Sequence, residues 1–154
     1  MKPTPPGWPR ITPALFYHDP RHAIDWLCKA FGFQVRLLVE GKDGRVEHSE
    51  LEFGDGLIMV GGTDSRREGQ PWRERIASPD MLGGRMTQNL AVHVDDADEH
   101  CARARAAGAE ICHEPETTDY GDDYWADRNY AAFDCEGHLW WFMQRMQTGG
   151  KPHG

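Results

Sequence analysis

The sequence predicts an α+β protein built from two tandem βαβββ modules, and three observations carry that expectation. The first is a repeated stretch. Phe53-Gly54-Asp55-Gly56-Leu57-Ile58-Met59-Val60 and Phe133-Asp134-Cys135-Glu136-Gly137-His138-Leu139-Trp140-Trp141-Phe142 each read as a tight acidic turn running into an apolar strand. Phe53 matches Phe133, and after a turn two residues longer Leu57 matches Leu139. The second is a pair of helix exits in register, Gly32-Phe33 and Gly108-Ala109; the third is an aspartate opening each helix, Asp19 and Asp96. Self-similarity at a fixed spacing marks a chain made twice from one supersecondary unit.

Residues 1–10 carry four prolines and a glycine and read as an extended arm or disordered leader. Ile11 to Tyr17 is a short strand. Asp19-Pro20 then starts a helix, since Asp accepts from free N–H groups and Pro suits the first turn. Ile24, Leu27, Cys28 and Phe31 form one apolar stripe and Gly32 stops the helix. Gln34 to Glu40 is a strand, Lys42-Asp43-Gly44 a turn, and Val46 to Phe53 alternates as a half-buried strand. Leu57 to Val60 completes the first module, residues 11–62.

Residues 63–87 form a charged connection containing Arg66, Arg67, Arg73, Arg75 and Arg85, long enough for a linker or a functional loop. The unit then begins again over residues 88–146. Asn89 to Val94 is a strand, Asp95-Asp96 caps a helix carrying Ala97, Cys101 and Ala104, and that helix ends at Gly108. Glu110 to His113 is a strand, followed by an acidic, aromatic loop through Tyr120 and Trp125. Arg128 to Phe133 and Leu139 to Met143 are the last strands, and residues 147–154 are a tail.

The chain has 154 residues, 39% of them hydrophobic and 10% aromatic, enough for one core or for two small modules sharing one. A net charge of −8 argues against nucleic acid, whose phosphates demand a basic face. No apolar run approaches the roughly 18 residues of a membrane helix, so no membrane partner is expected. The first residues lack the apolar core of a signal peptide. Cys28, Cys101, Cys112 and Cys135 include no CxxC pair, which suits reduced structural thiols in a cytoplasmic protein and not a zinc site.

Residues 88–142 resemble the second half of the glyoxalase, bleomycin-resistance and extradiol dioxygenase superfamily, the vicinal oxygen chelate fold. The resemblance rests on Leu90-Ala91-Val92-His93-Val94-Asp95-Asp96, Ala104-Arg105-Ala106-Ala107-Gly108-Ala109-Glu110 and Asp134-Cys135-Glu136-Gly137-His138. Ala23-Ile24-Asp25-Trp26-Leu27 and Ala30-Phe31-Gly32-Phe33 extend it to the first half. Within the superfamily the chain is similar to the PhnB-like and bleomycin-resistance-like branches. The resemblance implies modules whose curled mixed sheets form a cavity, and a homodimer. It also implies four metal-ligand positions, on the first and last strands of each module. These fall on Thr12, Met59, Asn89 and Trp141, none of them a usual ligand for a divalent cation.

Within that frame His48, Glu50 and Glu52 share one face of their strand, with Ser49, Leu51 and Phe53 on the other. Arg128, Tyr130 and Ala132 take the matching face of the second module. With Leu51, Phe53, Ala131 and Phe133 covering the helices, the polar faces look into the cavity or meet solvent. His48 with Glu50 can act as a general base or as an unorthodox metal pair. Met59, Tyr120, Tyr124, Trp125 and Trp141 can line an aromatic pocket for a flat ligand. Asp122, Asp123 and Asp127 would draw a cationic one. His93 is expected to be packed or hydrogen-bonded, His138 to satisfy the turn, His18, His22, His100 and His113 to lie at the surface or at caps, and His153 in the tail. The expected function is metal-free binding of a small molecule with no cofactor. The alternative is a divalent-metal lyase, isomerase or dioxygenase using His48 and Glu50.

Overall fold

The computed structural model describes residues 1–64 and 70–149; Arg66, Arg67 and His153 lie outside them. The chain divides into two compact units, Met1–Arg85 and Met86–Gly154. The first contains β1 (Ala14–Tyr17), α1 (Pro20–Phe31), β2 (Gln34–Glu40), β3 (Val46–Phe53) and β4 (Gly56–Gly62). Its sheet has the order β1-β4-β3-β2, with β1 parallel to β4 and the other pairs antiparallel. The second contains β5 (Leu90–His93), α2 (Ala97–Ala106), β6 (Glu110–Asp119), β7 (Trp125–Phe133) and β8 (Leu139–Thr148). Its order is β5-β8-β7-β6, again with one parallel pair. Both units are βαβββ, as the repeat predicts.

The helices start and stop where their chemistry says. Asp19 Oδ1 accepts from His22 N at 3.0 Å, Pro20 occupies the first turn, and Gly32 ends α1 with φ 84°. Ala23, Ile24, Leu27, Ala30 and Phe31 are buried along one stripe. Alternation along the strands supplies the other side of that core: Leu15, Tyr17, Leu51, Ile58 and Val60 are all buried. In α2, Asp96 Oδ1 accepts from Glu99 N at 2.9 Å, and Gln144 Oε1 of β8 accepts from Ala97 N at 3.0 Å. Asp98 and Glu99 sit in its first turn and Arg103 and Arg105 in its last, each favourable to the helix dipole. No helix among the described residues is long and apolar enough to cross a membrane.

The acidic turn before β8 is held from inside. Asp134 is 7% exposed; its Oδ1 accepts from Glu136 N at 3.1 Å and His138 N at 3.0 Å, and its Oδ2 from Trp140 Nε1 at 2.9 Å. Gly137 has φ 93°, a conformation that L residues rarely adopt. The turn thereby delivers Trp140 and Phe142, both fully buried, to the core of the second unit.

Several boundaries differ from the sequence reading. β6 runs to Asp119, β7 begins at Trp125, and β8 continues to Thr148, taking Gln147 and Thr148 out of the expected tail. Thr117, Thr118 and Asp119 pair with Arg128, Asp127 and Ala126, so the acidic loop is the far end of a hairpin. Pairing with β7 holds these polar residues in a strand despite the absence of an apolar alternation. In the expected linker, Pro71–Arg75 and Pro79–Leu82 form short 3₁₀ helices, each opened by its proline. The N-terminal arm is not loose either. Arg36 Nη1 donates to the Gly7 carbonyl at 2.7 Å, and the guanidinium carbon lies 4.5 Å from the Trp8 ring centre.

Candidate functional site

In the first unit the residues facing away from α1 converge on a groove. Ala14, Glu50 and Met59 lie side by side, Ala14 and Glu50 each being paired with Met59 on neighbouring strands. Leu37 and Val39 pair with Glu50 and His48 from the other side. Glu50 is 3% exposed, and its Oε1 lies 3.0 Å from His48 Nε2. Arg36 Nε approaches Glu50 Oε2 at 3.6 Å, offsetting the cost of burying the carboxylate. Beside this pair opens a cavity of about 630 Å³, lined by Ala14, Phe16, Met59, His48, Arg45 and Arg73 among others. Gly61 also lines it. A Cβ there would come within 3.4 Å of the Phe16 ring.

The structure brings His48, Glu50 and Met59 onto one face, but it turns Arg128 and Tyr130 the other way. Tyr130 is fully buried against α2, its hydroxyl 2.5 Å from His100 Nδ1 and its ring stacked on Phe142 at 5.0 Å. Burial pushes the Tyr130 phenol up, and the nearby Cys101 adds to the shift. Arg128 Nε and Nη2 clamp the Asp98 carboxylate on α2 at 2.7 and 2.8 Å. Their expected place on the cavity face is therefore corrected, and the cause is the turn. Gly54 and Asp55 separate the partners Phe53 and Gly56, whereas Asp134 to His138 separate Phe133 and Leu139. The turns differ by an odd number of residues, and a one-residue slip flips every side chain. Matched through the last strands, Glu50 corresponds to Ala131, which pairs with Trp141 as Glu50 pairs with Met59.

The hydrogen bonds from Arg128 hold the Asp98 carboxyl below its usual range. A depressed carboxylate contributes stability above its unfolded pKa of about 3.9 that disappears as pH falls through the folded value. Asp98→Asn should thus lower Tm slightly near pH 7, the pair being exposed. The gap between variant and wild type should close as thermal melts are taken below about pH 4. A gap that persists at low pH would show that the asparagine disturbs α2 itself.

The corresponding face of the second unit carries Trp141 and Ala131, with His113 ring-to-ring with Trp141 at 5.3 Å. Tyr120 and Tyr124 gather around Trp125, with ring centres at 5.8 and 6.1 Å. Trp141 does not join them. It pairs with Ala131, six residues along β7 from Trp125, or roughly 20 Å. Nor is Trp125 open to a cation on both sides, because Arg145 lies 5.2 Å from its ring centre and pairs with the buried Asp127 at 2.5 Å. Arg145 thus takes up Asp127, one of the three aspartates expected to draw a cation. His93 is exposed, not packed, while His100 is half-buried against Phe142 at 4.3 Å, not a surface residue.

Sequence reasoning missed Arg36 and Arg73. Arg36 sits at a register shift of β2, between Val35 and Leu37, where alternation gives no side. Arg73 lies in a 3₁₀ turn with no periodicity to read.

Residues 10–142 match the Glyoxalase/Bleomycin resistance protein/Dioxygenase superfamily. The chain belongs to that superfamily. TioX from Micromonospora sp. ML1 shares 33% identity over 90% of this chain and 100% of that one, with TM-score 0.66. A glyoxalase/bleomycin resistance protein/dioxygenase family enzyme from Burkholderia phytofirmans PsJN has TM-score 0.61 at 19% identity, covering 85% of this chain and 94% of that one. A glyoxalase/bleomycin resistance protein/dioxygenase from Alicyclobacillus acidocaldarius has TM-score 0.58 at 14% identity, covering 89% and 91%. These two share the fold. No curated protein matches the chain.

Metal-using members of the superfamily would need donors at Thr12, Met59, Asn89 and Trp141. Strand pairing makes Met59 and Trp141 equivalent to each other, beside Ala14 and Ala91, whereas Thr12 and Asn89 lie before the first residues of β1 and β5. A thioether and an indole are not oxygen or imidazole donors. Among the described residues no three His, Cys, Asp or Glu side chains come together as a metal site. The residues present do not fit the superfamily's metal.

Proposed function

We propose that this superfamily member is a metal-free small-molecule-binding protein of the bleomycin-resistance-like branch, sequestering its ligand in the groove of the first unit. The observation that carries the reading is the donor chemistry. Met59 and Trp141 stand where the resemblance puts two of the superfamily's ligand positions, while a cavity of about 630 Å³ is lined in part by Met59. Its apolar floor of Ala14, Phe16 and Met59 suits the body of an organic ligand. His48, oriented by Glu50, offers a polar handle at the side. We place the protein in the cytoplasm, a setting in which its four cysteines stay reduced, and we carry the homodimer over from the superfamily.

Metal analysis of untagged protein, after exposure to nickel, zinc, manganese and iron, tests the reading. Background levels in both wild type and His48→Ala are expected. Near-stoichiometric metal that is lost in His48→Ala would move the protein to the superfamily's lyases, isomerases or dioxygenases, with His48 and Glu50 as ligands.

A further inference from the structure

We propose that the cavity of the first unit takes a ligand with an acidic group on an apolar body, and that Arg73 receives the acid. The inference rests on the binding reading above and names the ligand's chemistry. Three arginines line the cavity, and two are already committed. Arg21 pairs with Glu40 and donates to the Gly44 carbonyl at 3.1 Å. Arg45 is shared among Glu47 at 3.2 Å, Asp64 at 3.6 Å and Asp43 at 3.9 Å.

Arg73 differs. Among the described residues no carboxylate lies within 4.0 Å of it, and its Nε is buried without an acceptor. Its one protein acceptor there is the Gly62 carbonyl, at a long 3.4 Å. The neighbouring Trp72 ring centre lies 5.5 Å from the guanidinium carbon. Nε is shut off from the cavity, so an acid entering the space that Arg73 lines would be met by the terminal nitrogens of its guanidinium. The planar guanidinium matches carboxylate, phosphate or sulfonate oxygens best.

The cavity acids lie beyond ion-pair reach of Arg73, and three of them share one arginine. Asp19 caps α1, and Asp43, Glu47 and Asp64 face Arg45. Gln70 Oε1 is also buried without a donor on the same turn, but it does not line the cavity. The cavity is also lined by Ala14, Phe16 and Met59, against which a hydrocarbon or aromatic part of the ligand can lie.

Two dyes with one aromatic body test this: 8-anilinonaphthalene-1-sulfonate and the neutral N-phenyl-1-naphthylamine. Titrations of wild type, Arg73→Gln, Arg75→Gln and Ala14→Trp are read by dye fluorescence. Arg75 is exposed and lies outside the cavity. We expect Arg73→Gln to weaken the sulfonate dye about tenfold or more, the scale of one charged hydrogen bond, and to leave the neutral dye unchanged. Arg75→Gln should change neither, and Ala14→Trp should block both. Equal losses for the two dyes in Arg73→Gln, or no loss for the sulfonate dye, would overturn the inference. If the neutral dye still binds and Ala14→Trp blocks it, the binding groove survives that failure. If neither dye binds wild type, or Ala14→Trp blocks neither, groove and inference fall together.

Discussion

Trp140→Ala is expected to cost about 3–5 kcal/mol, the range for truncating a large aromatic core residue. The indole is fully buried and lies parallel to Phe142, with ring centres 6.4 Å apart. Phe142 in turn stacks on Tyr130 and touches His100, so the cavity would open at the start of a continuous aromatic layer. Urea titration followed by circular dichroism measures it. A loss below about 1 kcal/mol would mean that the layer closes over the gap, against the usual cost of partial relaxation.

The second large effect is expected at Asp134→Ala. Three N–H donors, from Glu136, His138 and the Trp140 ring, lose one carboxylate acceptor together. Hydrogen bonds to a charged group contribute about 1.5–3 kcal/mol each, but bonds in one network do not add. A total of about 2–4 kcal/mol is expected on that basis. The distinguishing measurement is a double-mutant cycle with Trp140→Phe, which keeps a ring and removes the indole N–H. The double variant should lose less than the sum of the singles, because the Asp134–Trp140 bond is counted in both. Strict additivity would show that the carboxylate acts only on its own turn.

The sequence displays this turn openly, and the structure explains why. Asp134 and Gly137 belong to a local device whose partners lie within six residues, as do Asp19 and Gly32 around α1. Local chemistry of that kind determines helix ends and turns, and the two βαβββ units follow from it. What escaped notice depends on distant partners or on parity. Tyr130 meets His100 thirty residues away, and nothing near either residue announces the pairing. The face of β7 depended on an odd difference in turn length, which inverted Arg128 and Tyr130 while leaving Met59 and Trp141 correctly matched. His48 and Glu50 were legible because β3 pairs without a skipped residue from His48 to Glu52. Arg36 was not, because β2 shifts register beside it.

The shift at Arg36 in β2 has a further consequence. The strand is the margin of its sheet, and Val35, Leu37 and Val39 are 47%, 42% and 42% exposed along it. A straight, apolar margin of this kind is a template on which another chain can add a strand and begin aggregation. Here Arg36 is an extra residue on β2, between Val35 and Leu37, while at the second shift the extra residue is Glu47 on β3. An incoming strand would meet amides out of step and a charge tethered to Glu50 and Gly7. The irregularity that hid Arg36 from a reading of the sequence also makes β2 a poor seed for fibre growth.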